Sequence, residues 1–323
     1  MTRDAIISLL GSNWTAFEET VGRKLHSGIG MLDSVNESLW SNSGKKLRPM
    51  IALLTAGALG GINPDSIQYA AACEVLHNAT LLHDDVADKS ATRRGKPTLA
   101  ALMGPGNAVL VGDYWLAKAV ELILGTKHQN QTIPFFSRTL SDLAEGEMIQ
   151  LEKAASADTT EQDYLRIVCC KTASLFETAC KTAAISADAS AELEDAASRF
   201  GKATGIAFQI KDDIFDYGSA PQIGKPVGSD LREGKITLPL LGAFKNAPDQ
   251  EARIREMVSG IAKDPDAVAE IHGFVLANGG LEYAAARLQD FVQEALDALG
   301  AFPESEYKSA LEGLARYNAI RTV

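Results

Sequence analysis

Phe200 to Gly218 reads FGKATGIAFQIKDDIFDYG, and its apolar residues recur at helical spacing. Phe200, Ala203, Ala207, Ile210, Ile214 and Tyr217 fall on one stripe of a helical repeat, while Gln209, Asp212, Asp213 and Asp216 take the remaining face. The pattern predicts a helix buried on one side, with carboxylates and an amide rather than varied charge on the other. The same DDxxD spacing occurs earlier, in LLHDDVAD, as Asp84, Asp85 and Asp88. In each copy the first and last carboxylates stand four residues apart, about one helical turn. Like charges so placed destabilise a bare helix, and aspartate is a poor helix former, so the arrangement asks for a compensating cation. Magnesium suits it: a hard ion held by one or two carboxylates plus substrate phosphates and water. One DDxxD alone reads more readily as a solvated acidic face; two copies favour a metal site.

Outward from this segment, apolar residues recur at spacings of three and four almost everywhere and alanine is abundant, so the fold class is all-α. Prolines punctuate the chain at Pro49, Pro64, Pro97, Pro105 and Pro134, and none follows until Pro221. Breaks at Ser156 to Thr160 and Asp188 to Ser190 divide that stretch into helices. With no internal repeat and no linker rich in Pro, Gly and Ser, residues 1–323 are expected to form a single domain. Lys89 to Pro97 and Gly218 to Thr237 read as loops, and each follows an aspartate cluster.

Of 323 residues, 46% are hydrophobic and 23% charged, which excludes disordered and fibrous classes. The net charge of -11 argues against a broad basic face for nucleic acid. No apolar run is long enough for a transmembrane segment, and the N-terminus lacks the pattern of a signal peptide, so the expected location is cytoplasmic. Cys73, Cys169, Cys170 and Cys180 form no CxxC pair and read as reduced, buried thiols. Cations nevertheless gather beside the carboxylates: Arg93 and Arg94 after the first cluster, Lys225 and Lys235 after the second, and Lys45, Lys46 and Arg48 in GKKLRP. Surface salt bridges, each worth little, would account for any one of them. Together they fit a polyanion clamped between metal ions and basic groups, and diphosphate fits better than a carboxylate.

In this order the segments GKKLRP, HNATLLHDDVADKSATRRGKPT, GEMIQLE, KTASLFETAC, FQIKDDIFDYG and GKPVGSDLREGKITLPLL resemble the trans-prenyl diphosphate synthases over nearly the whole chain. Class I terpene cyclases share a first DDxxD, but their second site usually carries Asn/Asp, Ser/Thr and Glu. Non-catalytic subunits of heteromeric synthases generally lose one motif or the cations, whereas this chain keeps both.

The resemblance implies a helical bundle around a deep central cavity, usually a homodimer, with the aspartate clusters facing each other across its mouth. It implies three magnesium ions on the diphosphate of an allylic substrate, ionisation of the carbon–oxygen bond, and attack by isopentenyl diphosphate. Asp84 and Asp88 then resemble ligands of two ions and Asp212 that of the third, with Asp85, Asp213 and Asp216 in support. Arg93, Lys171, Gln209, Lys225 and Lys235 would hold the allylic diphosphate. Thr172 would assist beside Lys171 or bond its own backbone. Lys45, Arg48, His77 and Arg94 would hold isopentenyl diphosphate without metal; His77, seven residues before Asp84, shares its helical face. His83 reads as structural.

One departure concerns the first basic motif, usually Gly-Gly-Lys-Arg, where Ser43, Gly44, Lys45 and Lys46 stand here. Lysine keeps the charge but loses bidentate geometry. In this family bulky residues four or five positions before the first motif stop elongation; here Thr80 and Ala79 are small. The resemblance therefore implies a long-chain product, around octaprenyl, grown from a farnesyl or geranylgeranyl primer, with Leu76, Phe135 or Phe136 at the cavity floor. The alternatives are a farnesyl or geranylgeranyl diphosphate synthase, and small residues that serve only close helix packing. Release of the apolar product would involve transient membrane contact.

Overall fold

The computed structural model describes residues 2–218 and 228–320; Lys225, expected to bind the allylic diphosphate, lies outside them. Every regular element among the described residues is helical except one hairpin of two-residue strands, in keeping with the all-α expectation. The chain gathers into two compact units, each assembled from separated stretches. The first comprises the described residues of Met1–Ser137, Leu175–Ser198 and Leu299–Leu314; the second, those of Arg138–Ser174, Arg199–Ala298 and Ala315–Val323.

In the first unit the helix Pro64–Ala87 packs against Leu47–Leu59 and Pro105–Ile123. Its start is well specified: Asn63 caps the Ser66 N–H, the Ser66 hydroxyl returns the bond, and Pro64 occupies the first turn. The small residues Ala70, Ala71, Ala72 and Cys73 are fully buried and let the neighbouring helices come close. Gly112 serves the same end, since a Cβ there would meet the His83 ring 2.3 Å away. Trp115 is anchored by Asn36 Oδ1 at 2.7 Å, and Asn36 in turn donates to the Leu25 carbonyl at 2.7 Å, so this buried polar pair is satisfied.

In the second unit the part of the helix Ala191–Asp216 from Arg199 onward contributes Ile206, Ala207, Ile210 and the adjoining Tyr217 to a core shared with Leu238, Leu240, Ile271, Val275 and Leu288. The expected apolar stripe is therefore present. Two local expectations are corrected. The helix Gln129–Ser156 runs through Pro134 instead of stopping there; proline lacks the N–H for one backbone bond, and a helix of 28 residues continues past that loss. The Lys89–Pro97 segment folds as a hairpin, Thr92–Arg93 against Lys96–Pro97, because Arg94 (φ 52°) and Gly95 (φ 75°) adopt the left-handed pair of a type I′ turn. The breaks at 157–160 and 187–190 fall where expected. All four cysteines are free thiols, Cys73 and Cys180 buried, Cys169 and Cys170 half-buried.

Two glycines of the second unit should respond oppositely to alanine. A Cβ on Gly280 would lie 2.2 Å from the Pro239 carbonyl oxygen, whereas one on Gly273, inside the helix Ala267–Ala277, meets nothing within 4 Å. Gly280→Ala is expected to destabilise by about 1–3 kcal/mol. Gly273→Ala is expected to stabilise by roughly 0.5–1 kcal/mol. Urea denaturation of both variants checks the contrast.

Candidate active site

The first motif closes its helix. Asp88 is the C-cap, and its N–H donates to the Asp84 carbonyl at 2.8 Å, so the two outer aspartates stand one helical turn apart. Asp84 is half-buried and Asp88 exposed. Asp85 lies on the inner side, only 4% exposed, and accepts from Arg93 Nε at 2.8 Å. Burial pushes its carboxyl above the ordinary value even against the pull of Arg93. The hairpin turn thus places Arg93 on Asp85 and sends Arg94 the other way, where Nη1 donates to the Asn42 carbonyl at 3.1 Å. Gly44 (φ 92°) leaves room for that guanidinium, since a Cβ there would lie 2.4 Å from it.

Arg94 belongs to a cluster around His77. Burial and then Arg48, Arg94 and Arg93 hold the His77 imidazole well below its ordinary pKa, so it is neutral near pH 7. The Arg48 guanidinium rests on the Phe176 ring, 4.6 Å from its centroid. Three of the four residues expected to bind isopentenyl diphosphate, Arg48, His77 and Arg94, are therefore neighbours. The fourth, Lys45, is exposed, and its carbonyl accepts from Arg3 at 3.4 Å. Lys46, at the family's arginine position, is committed elsewhere: Nζ reaches Glu18 Oε1 at 2.8 Å and lies 3.9 Å from the Trp40 centroid. Sequence reasoning missed Glu74, which is 1% exposed and stands three residues before His77 on the same helix. Burial raises its pKa while Arg48, Asn78, Lys46 and Arg94 oppose the rise. Its signal was a lone acid in the apolar run AAACEVL. Ala79 is buried and Thr80 half-buried, with the Thr80 hydroxyl on the His77 carbonyl at 2.8 Å. His83 Nε2 lies 3.2 Å from Asp113 Oδ1. Leu76 and Phe136 are buried, and the Phe136 ring is tilted against Tyr69, centroids 6.3 Å apart. Phe135 is half-buried, 5.8 Å from Lys181 Nζ.

The second motif divides its carboxylates differently. Asp213, expected on the polar face, is only 2% exposed. Standing three residues after Ile210 and four before Tyr217, it turns inward with them. Its Oδ2 accepts from the Tyr164 hydroxyl at 2.5 Å and its Oδ1 from Gln209 Nε2 at 2.9 Å. Burial and the neighbouring carboxylates of Asp230 and Asp212 push its pKa up. Gln209 Oε1 accepts from Thr172 Oγ1 at 2.8 Å, so that hydroxyl bonds a side chain and not its own backbone. Asp216 caps the short helix Ser229–Arg232, accepting from Ser229 N at 3.0 Å, Ser229 Oγ at 2.6 Å and Asp230 N at 3.0 Å. Asp212 is half-buried. Lys171 lies in a π turn, Cys169–Ala173, and pairs with Glu147; Gly146 permits the approach, a Cβ there falling 2.7 Å from Lys171 Cγ. Lys235 pairs with Glu233. Tyr164 and the π turn were invisible to periodicity, because both keep the apolar pattern helical.

A 670 Å³ surface pocket of the first unit, with Arg23, Lys24, Lys118 and Glu121 in its wall, contains none of these residues. Its lysines are held by Glu121, Lys24 at 3.3 Å and Lys118 at 2.9 Å. The outer aspartates offer only carboxylate oxygen, the donor a hard divalent cation takes. Among the described residues no group of three or more His, Cys, Asp or Glu could hold a metal by itself. A cation at Asp84 and Asp88 would therefore take its remaining ligands from water and a bound anion, as magnesium commonly does.

The family model for polyprenyl synthetase matches residues 30–275. An octaprenyl diphosphate synthase of Haemophilus influenzae is 37% identical over 323 residues, spanning 99% of this chain and 98% of the relative. A decaprenyl diphosphate synthase from Rhodobacter capsulatus superposes with a TM-score of 0.92 at 32% identity, covering 100% of each chain. A polyprenyl synthase from Caulobacter crescentus CB15, solved in complex with calcium and isoprenyl diphosphate, gives 0.91 at 32% identity over 100% of this chain and 98% of that one. A match that runs through both aspartate motifs, with full-length relatives of one activity class, settles the membership: the chain belongs to the polyprenyl synthetase family and is a prenyltransferase.

Proposed function

We propose that the protein condenses isopentenyl diphosphate with an allylic diphosphate, farnesyl or geranylgeranyl, to make a long-chain all-trans polyprenyl diphosphate with magnesium. The observation that carries this reading is the one-turn spacing of Asp84 and Asp88 beside a cluster of Arg48, Arg94 and a neutral His77. Carboxylates for cations and guanidinium groups for phosphate are what a diphosphate substrate requires. The metal in the relative from Caulobacter crescentus CB15 is calcium, a cation of the same oxygen-ligand class.

In this reading Asp84 and Asp88 hold two magnesium ions and Asp212 a third. When bound, the metal neutralises charge on the departing diphosphate. Lys171, Lys225, Lys235 and Arg93 bind the allylic diphosphate; Gln209 assists with the amide hydrogen not given to Asp213, and Thr172 assists by holding Gln209. Arg48, Arg94 and Lys45 bind isopentenyl diphosphate, and His77, being neutral, contributes an N–H without further charge. Asp85 and Asp213 act through hydrogen bonds, and Asp216 by holding the segment that begins at Ser229. The small side chains of Ala79 and Thr80 leave room for a growing tail, which suits the octaprenyl and decaprenyl products named for the relatives. We infer one synthase domain over residues 1–323, working as a homodimer in the cytoplasm and touching membrane transiently to release its apolar product. The exposed apolar side chains of Leu102, Leu110, Val120 and Leu124 suit a second copy of the chain. Among the described residues no helix is long and apolar enough to cross a membrane.

With farnesyl diphosphate, isopentenyl diphosphate and magnesium, mass analysis should find products longer than geranylgeranyl; a product stopping there or sooner overturns the long-chain assignment in favour of a short-chain synthase. Ala79→Tyr should shorten the product sharply. Asp84→Asn and Asp212→Asn should each lower turnover by about 100-fold or more. Their melting temperature in EDTA should hold or rise, because repulsion between carboxylates is relieved. Unchanged turnover in either variant removes the metal assignment.

A further inference from the structure

Tyr164 lies in the second unit, buried, at the fourth position of the helix Glu161–Val168. That helix has a fixed start: Thr160 Oγ1 accepts from Asp163 N at 3.1 Å, and Asp163 Oδ2 accepts from Thr160 N at 3.0 Å. It continues directly into the π turn that carries Lys171 and Thr172. At about 3.6 residues per turn, Thr172 would stand roughly 80° round the rod from Tyr164. The π turn winds less per residue, which brings the two onto one face. From that face the rod grips the second-motif helix at two points. The Tyr164 hydroxyl holds Asp213 at 2.5 Å, and Thr172 Oγ1 holds Gln209 at 2.8 Å, one helical turn away. Gln209 Nε2 closes the chain onto Asp213 at 2.9 Å. Both oxygens of the buried carboxylate are thereby taken. One member of each bond directly follows a residue given a role above: Asp213 follows Asp212, and Thr172 follows Lys171.

We propose that Tyr164 is a positioning residue for the second aspartate motif, acting with the Thr172–Gln209 bond to fix where the Asp212 carboxylate and the Lys171 ammonium stand. The two bonds act as a clamp on the register between the helices. Without the hydroxyl, the buried Asp213 loses its shortest bond and the motif helix is free to shift by fractions of an ångström, enough to misplace a metal ligand. Glu147 continues to hold the Lys171 side chain, so the loss falls on Asp212 more than on the lysine.

The inference rests on the metal-dependent reading above, and binding separates the two. Mn²⁺ is titrated into the protein with inorganic diphosphate present, and free Mn²⁺ is followed by electron paramagnetic resonance. Tyr164→Phe is expected to weaken Mn²⁺ binding and raise the KM for the allylic substrate, each about 10-fold. The KM for isopentenyl diphosphate, assigned to residues of the first unit, is expected to stay within twofold. Thr172→Val should act in the same direction, and the double variant should add little beyond the stronger single one, because the bonds form one unit. If Tyr164→Phe does not fold, Thr172→Val carries the same measurement. Mn²⁺ affinity and allylic KM within twofold of the parent overturn the proposal. So does an equal loss in every kinetic parameter with a lowered melting temperature, the mark of a merely structural tyrosine. Absence of prenyl transfer by the parent protein would fail the functional reading instead, and the Mn²⁺ titration would still decide the clamp.

Discussion

A carboxylate removed from water costs several kcal/mol unless hydrogen bonds or an opposite charge replace its hydration. Each aspartate motif buries one, Asp85 in the first and Asp213 in the second. The two are satisfied by different means. Asp85 takes a guanidinium from Arg93, eight residues on, and that requirement shapes the hairpin after the motif. Asp213 takes neutral donors, Tyr164 and Gln209, and that requirement sets the register of two helices. In both motifs the protein hydrogen-bonds the middle carboxylate and leaves the first and last at intermediate or greater exposure.

The cations divide in a similar way. Lys46 is absorbed by Glu18 and Trp40, Lys235 pairs with Glu233, and Arg93 is bound to Asp85. Arg48 and Arg94 share their surroundings with His77, which burial first and their positive charge second keep neutral. Glu74 tempers this concentration of positive charge, as a buried acid whose pKa burial raises and the cations lower. A cluster of that kind is costly in an empty protein and favourable once an anion arrives, the arrangement expected of a site that binds phosphates through few contacts.

Much of this was legible in the residues. The apolar stripe from Phe200 to Tyr217 identified the second-motif helix, and the DDxxD spacing identified both candidate metal sites without any knowledge of packing. The placement of Asp213 was a misreading of a wheel that already contained the answer, since Ile210 and Tyr217 flank it at helical spacing. Pro134 does not end its helix, because the loss of one backbone bond is small against the rest of a helix of 28 residues. The Arg94-Gly95 turn was recognisable as a loop, but its hairpin depends on Arg93 finding Asp85. The π turn at Cys169–Ala173 left no trace in the apolar pattern.

Apolar spacing by itself determined the helical class, the two DDxxD runs determined the positions of the carboxylate pairs, and the order of motifs determined the family resemblance. The first two depend on backbone geometry over four or five residues, which every sequence carries locally. Tertiary structure alone decided which groups pair with each buried aspartate, which basic residues are already committed, and how Lys171 is held. Those depend on desolvation and on partners as distant in sequence as Tyr164 from Asp213, 49 residues apart. Local spacing sets where a charge is carried; only packing removes the water around it and names the group that replaces that water.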